Sequence, residues 1–383
     1  MATGLRGATL NRIVASLVDR GVLTEVELIG SGRRGRPQAR LALRGSNSAI
    51  IGLEFGRGRL VGVVLDAAGQ IVRQEKSLPA PDFAGTNATM DALSKVVLEL
   101  LSASGVERTR LAAVGIALHD VVTADGEWRI GGSSEGLRVQ EALENRLGCL
   151  VVAEDVSRAF ARAEHHHGAG QDEPDMIYLF LGSHGVGGGI FVNDHMLVSS
   201  SGICGELGHV MVDENGALCQ CGSIGCFETV ASHRAVEHRF QAVIDQGVAS
   251  TLAAPASFTD ICRAAGAGDK AAHLVLREVG DAMAIVLASA VNILGAPAIV
   301  LGGSLRHAGE QFLDHVVVQL RQRVISGLSA KVSVRFARLP SHAGAWGVAI
   351  TAHAAALQSG ALNADSPISS NVTDEGRPVT PAS

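Results

Sequence analysis

Three cysteines within eight residues constrain this chain more than any other feature of its sequence. They form the pattern Cys219-x-Cys221-Gly-x-x-Gly-Cys226, on a segment whose glycines allow tight bends, and His209 precedes the first cysteine by ten residues. Three thiolates and one imidazole complete a closed tetrahedral shell of the kind that holds a structural Zn²⁺. The sequence therefore predicts a zinc site at these four residues, and three reduced loop cysteines without a metal are the alternative.

The other three cysteines, Cys149, Cys204 and Cys262, are isolated in apolar surroundings, and we expect them in the core. Six cysteines so placed do not resemble a disulfide framework, and a crowded cluster is more typical of a metal site in a reducing compartment. No basic N-terminal region leads into an apolar run, so the sequence predicts no secretory signal. We therefore expect a cytoplasmic protein.

Length and composition indicate an α/β protein of two or three packed domains. The chain has 383 residues, of which 47 % are hydrophobic and 46 are glycines without a collagen-like period. The stretch between Asp281 and Arg306 carries no charge and is long enough to suggest a membrane span. However, Asn292, Gly295 and Pro297 divide it into a helix, a turn and a strand, so we expect no span. No internal repeat is apparent.

The body of the chain is predicted to form two α/β lobes. Strands are predicted at 50–54, 60–66, 111–118, 150–153 and 176–181, and helices at 89–103, 156–164 and 347–357. Gly182–Gly189 is predicted as a loop that lets backbone approach a ligand or the facing strand, and three consecutive histidines, 165–167, as a surface cap. We place the first lobe at 46–172 plus 345–360, the second lobe with the zinc site at 173–344, and a disordered tail at 361–383.

Residues 1–45, here called the head, differ in charge from the rest of the chain. The head carries eight arginines against three acids, whereas the remainder has eleven more acidic than basic residues. This distribution suggests that the head contacts a polyanion and that the body does not. An apolar stripe at helical spacing over 10–18 is followed by two short strands, at 22–26 and 40–43, that flank a glycine-arginine loop.

A helix followed by a two-stranded hairpin is the last half of a winged helix-turn-helix. The helix would lie in the major groove of operator DNA with Thr9, Asn11 and Arg12 as contacts, and loop arginines would meet phosphates or a narrow minor groove. Those loop arginines are Arg33, Arg34 and Arg36. An amphipathic helix with a solvated arginine loop is the alternative.

The head is short for a complete helix-turn-helix, which has two more helices before the recognition helix. Only Met1–Gly7 precede the predicted helix. We therefore expect either that the true start lies upstream of Met1 or that the chain has lost much of its DNA-binding domain. In either case this exact chain should bind operator DNA poorly.

Carboxylates cluster in sequence near the cysteines and at one strand end. Glu206 and Glu228 flank the predicted zinc ligands, and Glu154-Asp155 ends a strand of the other lobe. Singly, each is typical of a solvated surface acid. Together with the glycine loops they suggest a sugar site, because carboxylates accept hydrogen bonds from hydroxyls and one of them could remove a hydroxyl proton.

Several motifs resemble those of the ROK family (repressors, open reading frames and sugar kinases). Gly205-Glu-Leu-Gly-His209 and Cys219-x-Cys-Gly-x-x-Gly-Cys-x-Glu228 resemble its zinc and sugar motifs. Glu154-Asp155 is similar to its Asn-Asp pair, Ile299–Gly303 to its adenosine-side turn, and Gly4-Leu5 with Arg36-Pro37 to the winged helix of its repressor branch. The resemblance extends from about Gly4 to Leu357.

The resemblance implies a two-lobed actin/hexokinase-like (ribonuclease H-like) ATPase fold, of the α/β class, behind a partial winged helix-turn-helix. It implies zinc on His209, Cys219, Cys221 and Cys226. It also implies a sugar pocket, with Asp155 in the position of the kinase base. The residues implied for this pocket are Glu154, Asp155, Glu206, His209 and Glu228.

Departures from the family pattern favour its repressor branch. Kinases carry an Asp-x-Gly-x-Thr-like phosphate loop, where this chain has Glu54-Phe-Gly-Arg-Gly58, without the Asp that organises Mg²⁺ or the hydroxyl that meets phosphate. His184 replaces a usual Thr, and Glu154 replaces Asn and adds a negative charge where phosphate would approach. Leu118-His119-Asp120 departs from a Pro-Gly turn.

The sequence thus predicts a sugar-responsive transcriptional regulator, a repressor rather than an enzyme. Its expected partners are operator DNA, a sugar or sugar phosphate effector, and further copies of the chain in a homodimer or homotetramer. The alternative is an ATP- and Mg²⁺-dependent hexose or N-acetylhexosamine kinase that uses Asp155 as its general base.

Overall fold

A computed structural model describes residues 7–19, 23–29, 38–43, 48–56, 58–75, 86–129, 136–182, 185–340 and 342–362. The helices within these residues are α1 Gly7–Asp19, α2 Thr86–Ala103, α3 Val139–Leu147, α4 Val156–His167, α5 Glu228–Ala231, α6 His233–Asp245, α7 Phe258–Gly266, α8 Lys270–Leu294, α9 Glu310–Arg321, α10 Ser326–Ser329 and α11 Ala343–Ser359.

The strands within the same residues form four sheets. They are β1 Leu23–Ile29, β2 Gln38–Leu43, β3 Ala49–Gly56, β4 Arg59–Asp66, β5 Ile71–Glu75, β6 Leu111–Leu118, β7 Val121–Val122, β8 Glu127–Arg129, β9 Leu137–Arg138, β10 Leu150–Asp155, β11 Met176–Gly182, β12 Gly185–Val192, β13 His195–Met196, β14 Ala298–Gly303 and β15 Ser333–Phe336.

The first lobe is built on a five-stranded sheet in the order β5-β4-β3-β6-β10. β3 pairs antiparallel with β4 and parallel with β6, and β6 pairs parallel with β10. Every residue of β3 and β6 is buried, as expected of central strands covered on both faces. Helices α2 and α3 cover one face, and α11 covers the other.

The second lobe has a sheet of the same design, in the order β13-β12-β11-β14-β15. In each lobe a three-stranded antiparallel meander comes first and two parallel strands are added beside its first strand. Helices α6 to α9 form the main apolar core of this lobe on one sheet face. The two lobes therefore repeat one topology, although the sequence shows no repeat.

Two helices, α4 and α11, lie packed against each other between the sheets. α11 lies on the first sheet, and α4 contacts β11 and β12 of the second. A Cβ on Gly52 or Gly115 would collide with the backbone of α11, so these glycines let the helix approach the first sheet closely. This layering places the carboxyl end of β10, where α4 begins, at the boundary between the lobes.

The uncharged stretch is divided as the sequence predicts. Helix α8 ends at Leu294, Gly295 follows in the left-handed conformation, and strand β14 begins at Ala298. Among the residues that the structure describes, no helix is both long enough and apolar enough to cross a membrane.

In the head, α1 is followed by an antiparallel pair of strands, β1 and β2. Both strands are longer than predicted, and the glycine-arginine loop between them lies outside the described residues. None of the described residues of α1 is buried, and Leu10 and Ile13 of its apolar stripe are 42 % and 41 % exposed.

Two local predictions were wrong. The glycine-rich segment predicted as a loop contains strand β12 from Gly185, and Gly187 and Gly189 give α4 room to pack on that strand, because a Cβ there would collide with Ser157 or Ala161. The three histidines do not all lie at the surface. His165 is 8 % exposed and stacks on Phe191 at 3.8 Å.

Candidate functional site

A cleft of about 1040 Å³, including the part open to solvent, lies between the lobes. A concave site between two lobes is a common place for a small-molecule ligand. Its charged and metal-ligating side chains come from both lobes. They are His119, Asp120, Arg129 and Asp155 from the first lobe, and Glu206, His209, Cys221 and Glu228 from the second.

Asp155 lies where β10 ends and is also the N-cap of α4. Its Oδ1 atom accepts hydrogen bonds from the backbone N–H groups of Ser157, at 2.8 Å, and Arg158, at 3.4 Å, and from the Ser157 hydroxyl. Burial raises the pKa of this carboxyl, while the Arg158 charge and the capping bonds act in the opposite direction. Because the capping bonds use Oδ1, the second oxygen has no hydrogen bond to any residue that the structure describes and could bind a ligand in the cleft.

Two carboxylates of the second lobe line the cleft opposite Asp155. Burial, and then the negative charge of Asp155, raise the pKa of Glu206 to about 7. Glu228 begins the short helix α5, and its Oε2 accepts the backbone N–H of Val186 at 3.0 Å. Three hydrogen-bond acceptors thus converge from two lobes, as the sequence predicts for a polyhydroxylated ligand.

The four predicted metal ligands come together in the structure. Ligand atoms of His209, Cys219, Cys221 and Cys226 all lie within 4.8 Å of one another. The Nδ1 atom of His209 is 3.6 Å from Sγ of Cys219, and the sulfurs of Cys221 and Cys226 are 3.6 Å apart. Two ligand atoms about 2.3 Å from a tetrahedral zinc lie about 3.8 Å apart, so the spacing fits such an ion.

Backbone geometry explains why this group forms. Leu218 pairs with Ile224 and Met211 with Cys226 in isolated antiparallel bridges, which fold the loop back on itself. Gly225 has a φ of 69°, and a Cβ there would collide with the carbonyl of Asp213. The glycine of the motif is therefore needed for the close approach that brings the cysteines together.

Glu154 is not among the residues that the structure brings to the cleft. Its carboxylate is buried and accepts the hydroxyl of Thr351 at 2.7 Å, and it lies 3.5 Å from the guanidinium of Arg162. Adjacent residues of a strand point to opposite faces, so Glu154 faces α11 while Asp155 faces the cleft. The expected second negative charge in the phosphate approach is therefore absent from that place.

Glu54 lies in the first hairpin, where family kinases carry the aspartate of the phosphate loop. Its side chain is buried, and its Oε1 accepts the Nε–H of Arg59 at 2.7 Å. The Nε2 atom of His119 is 3.7 Å from the same oxygen. The guanidinium and this buried carboxylate form a neutral ion pair, which is not the arrangement of a phosphate-binding loop.

The pocket contributions of His119, Asp120 and Arg129 were not predicted. Asp120 has a φ of 78°, the left-handed region that a non-glycine residue rarely adopts. Part of the signal is in the sequence, because residues 118–120 depart from the Pro-Gly turn of the family pattern. Arg129 is paired with Glu127, at 2.8 Å from Nε.

The predicted DNA contacts are only partly described. On α1, Asn11 and Arg12 are exposed and Thr9 is half-buried. Arg33, Arg34 and Arg36 lie in the loop outside the described residues.

Curated relatives of this chain are regulators of transcription. The N-acetylglucosamine repressor of Escherichia coli O6:H1 is 28 % identical over 317 residues, which cover 82 % of this chain and 77 % of the relative. The xylose repressor of Bacillus subtilis strain 168 is 24 % identical over 355 residues, covering 90 % and 87 %.

Solved structures include regulators and kinases. A ROK family transcriptional regulator, described as a homolog of the E. coli MLC protein, matches with a TM-score of 0.80 and 25 % identity over 94 % of this chain and 90 % of that one. A ROK family glucokinase from Streptomyces griseus, in complex with glucose and AMPPNP, matches with a TM-score of 0.65 and 27 % identity over 80 % of this chain and all of that one.

These matches confirm the two-lobed actin/hexokinase-like fold. The sequence profile of the ROK family matches residues 50–355, most of the chain. The protein therefore belongs to the ROK family.

Proposed function

We propose that this chain is a sugar-responsive repressor of transcription, which senses a sugar in the interlobe cleft and does not phosphorylate it. One observation carries the proposal: carboxylates suited to a sugar line the cleft, while the buried carboxylate of Glu54 pairs with Arg59 in the hairpin that the resemblance assigns to the phosphate loop of kinases. The named regulator relatives and the match to a regulator structure support the same reading.

The sugar would be held from both lobes at once. Asp155, on the first lobe, accepts a hydrogen bond from a sugar hydroxyl. Glu206 and Glu228, on the second lobe, accept hydrogen bonds from other hydroxyls of the same sugar. A charged hydrogen bond to a ligand hydroxyl contributes about 1.5–3 kcal/mol, and removing its acceptor would leave a desolvated hydroxyl without a partner. Binding from both sides favours closure of the cleft, because only the closed form makes all these contacts.

Of a neutral sugar and a sugar phosphate, the neutral sugar fits the cleft better. Four carboxylates line it, those of Asp120, Asp155, Glu206 and Glu228. The lining guanidinium, Arg129, is already paired with Glu127. The raised pKa of Glu206, about 7, means that this carboxyl is only partly ionised at neutral pH. The carboxylates that are ionised would repel a phosphate, because like charges placed together cost several kcal/mol in a partly desolvated site.

The metal that fits the ligand group best is Zn²⁺. Three sulfurs and one imidazole nitrogen are a donor set typical of structural zinc. Bound there, the ion would supply the positive charge that lets three thiolates lie together. The protein's own contribution is positional: the ligated loop runs from His209 to Cys226 and so fixes two sides of the sugar site, at His209 and at Glu228.

The head would carry the output to DNA. Thr9, Asn11 and Arg12 on α1 would contact the major groove, and Arg33, Arg34 and Arg36 the backbone or minor groove. Closure of the cleft in a homodimer or homotetramer would change the separation of two heads and hence their fit to two half-sites. Such a regulator acts where the DNA is, in the cytoplasm.

The proposal is tested by asking whether the chain binds sugar without consuming ATP. Glucose, N-acetylglucosamine and xylose would be titrated by calorimetry and run in a coupled ATP-consumption assay with Mg²⁺. We expect binding of at least one sugar and no turnover. ATP consumption that disappears in Asp155→Asn would instead establish a sugar kinase with Asp155 as its base.

A further inference from the structure

A buried carboxylate lies where the chain passes between the lobes. The chain crosses twice, at 168–175 between α4 and β11, and again between the end of β15 and the start of α11. Glu164, near the end of α4, is 1 % exposed. Its Oε2 accepts the backbone N–H of Ala169 at 2.6 Å, and its Oε1 accepts the backbone N–H of Leu339 at 2.7 Å.

We propose that Glu164 joins the two interlobe crossings into a single hinge, and thereby sets the separation of the two sides of the cleft. One carboxylate binds one backbone group from each crossing, although the two amides are 170 residues apart in the chain. The backbone carbonyl of Glu164 also accepts the N–H groups of Gly168 and Gly170, both at 3.0 Å. The first crossing is thus held at three points.

The surroundings show that the carboxylate is closely fitted. A Cβ on Gly168 would collide with Glu164 Oε2, so only glycine leaves room for the carboxylate at that place. Arg335 of β15 donates to the Ala169 carbonyl at 3.1 Å and pairs with Glu173 at 2.6 Å, a second connection between the first crossing and the edge of the second sheet.

Glu164 acts on the cleft through the hinge and not by contact. Asp155 comes from the first lobe, whereas Glu206 and Glu228 come from the second, so the angle between the lobes sets their separation. One further hydrogen bond joins the lobes outside the two crossings, so its strength should change when the angle between the lobes changes. The Ala124 N–H donates to the Ser201 carbonyl at 2.9 Å, from the first lobe to the second.

Carboxylate chemistry defines the test. A carboxylate accepts both backbone hydrogens, whereas the amide of Glu164→Gln turns one NH₂ donor toward a backbone N–H and loses at least one bond. Glu173→Gln is the matched control, because it removes a carboxylate from the same crossing that, among the described residues, binds only the Arg335 side chain. Hydrogen exchange of individual amides would be measured by NMR in the full chain without sugar.

We expect Glu164→Gln to speed exchange at Ala169 or Leu339 at least tenfold and also to speed exchange at Ala124, several-fold or more. Glu173→Gln should leave Ala124 unchanged. If Glu164 acts only locally, the substitution would speed exchange at Ala169 and Leu339 but leave exchange at Ala124 unchanged. That result would overturn the proposal.

A measurement on the unsubstituted protein covers the case in which the glutamine variant does not fold. In native-state exchange, Ala169 and Leu339 should open with one shared dependence on denaturant, because they share one acceptor group. If exchange at Ala169 and at Leu339 depended differently on denaturant, the proposal of a single hinge would be wrong.

A sugar-binding experiment adds a second test of the hinge, and it rests on the proposed function. With the calorimetric panel of glucose, N-acetylglucosamine and xylose, Glu164→Gln should weaken sugar binding at least fivefold although no cleft residue is changed. If no sugar binds to the unsubstituted chain, the proposed function fails, while amide exchange still decides the hinge.

Discussion

The Nδ1 atom of His209 lies 3.6 Å from the sulfur of Cys219, and the same imidazole lines the interlobe cleft. A metal bound at Nδ1 leaves the hydrogen on Nε2, so the ring becomes a fixed donor. The candidate metal site and the proposed sugar site therefore share one side chain.

Removal of the metal should weaken both the second lobe and sugar binding. We expect the purified chain to hold about one zinc and Cys221→Ser to hold less. Cys221 is exposed, so serine leaves no core cavity, and the loss of loop order should lower the melting temperature by about 5 °C or more. Metal analysis and thermal denaturation measure these effects.

Cys204→Ser is the control for this prediction, since Cys204 is half-buried and lies outside the metal group. If Cys221→Ser kept its zinc, its melting temperature and its sugar affinity, the metal would have no part in forming the site.

Neighbouring carboxylates on β10 should differ sharply in their effect on sugar binding. Asp155→Asn keeps an oxygen to cap α4 but removes the charge in the cleft, so affinity should fall about 10- to 100-fold. Glu154→Gln changes a side chain that faces Thr351, so affinity should stay within about threefold. Titration calorimetry compares the two, and equal losses would mean that Asp155 does not contact the sugar.

Phosphorylation of the sugar should weaken binding. With four carboxylates lining the cleft, glucose 6-phosphate or N-acetylglucosamine 6-phosphate should bind at least tenfold less tightly than its parent sugar. Competition at low and moderate salt would measure this, and the difference should shrink as salt rises. Tighter binding of the phosphate, lost in Arg129→Gln, would show that Arg129 receives an anion and that the neutral-sugar proposal is wrong.

Local patterns in the sequence predicted the group of four metal ligands, several strands and helices of the first lobe, strands β11 and β14 of the second lobe, and three of the cleft carboxylates. Spacing and residue type were sufficient there, because the ligands lie close in sequence or directly after strands. The prediction that Glu154 lines the sugar pocket was wrong. The motif gives its position in the chain, but the alternation of side chains along the strand turns it toward Thr351. The hydrogen bonds of Glu164 could not be predicted from the sequence, because its partners are backbone groups and one of them is 175 positions away.

The pair of Glu54 and Arg59 should be a structural element of the first lobe. Arg59→Met would leave the buried carboxylate without this charged partner, and since Arg59 is itself 41 % exposed we expect a loss of about 2 kcal/mol in unfolding free energy. Adding Glu54→Gln should recover part of that loss. Urea denaturation of both single variants and the double variant gives the coupling, and additive effects would contradict a direct pairing.

Acid should destabilise the fold through the histidines at the end of α4. Burial lowers the pKa values of His165 and His167, and burial with the charge of His165 lowers that of His166 to about 4. In the unfolded chain each histidine binds a proton near pH 6.5. Below that pH the unfolded state therefore binds more protons than the folded state, so stability is lost as the pH falls from 6.5 toward 4.

The check is the dependence of unfolding free energy on pH in the unsubstituted chain and in His166→Gln. Although neighbouring atoms crowd its imidazole, His166 keeps part of its surface exposed and lies outside the core, so glutamine should be tolerated. The variant should bind up to one proton fewer on unfolding between pH 6.5 and 4, which makes its stability fall less steeply there. Above pH 7.5, where the histidine is neutral in both states, the two proteins should differ by a constant amount. Parallel curves over the whole range would show that His166 takes up no proton on unfolding.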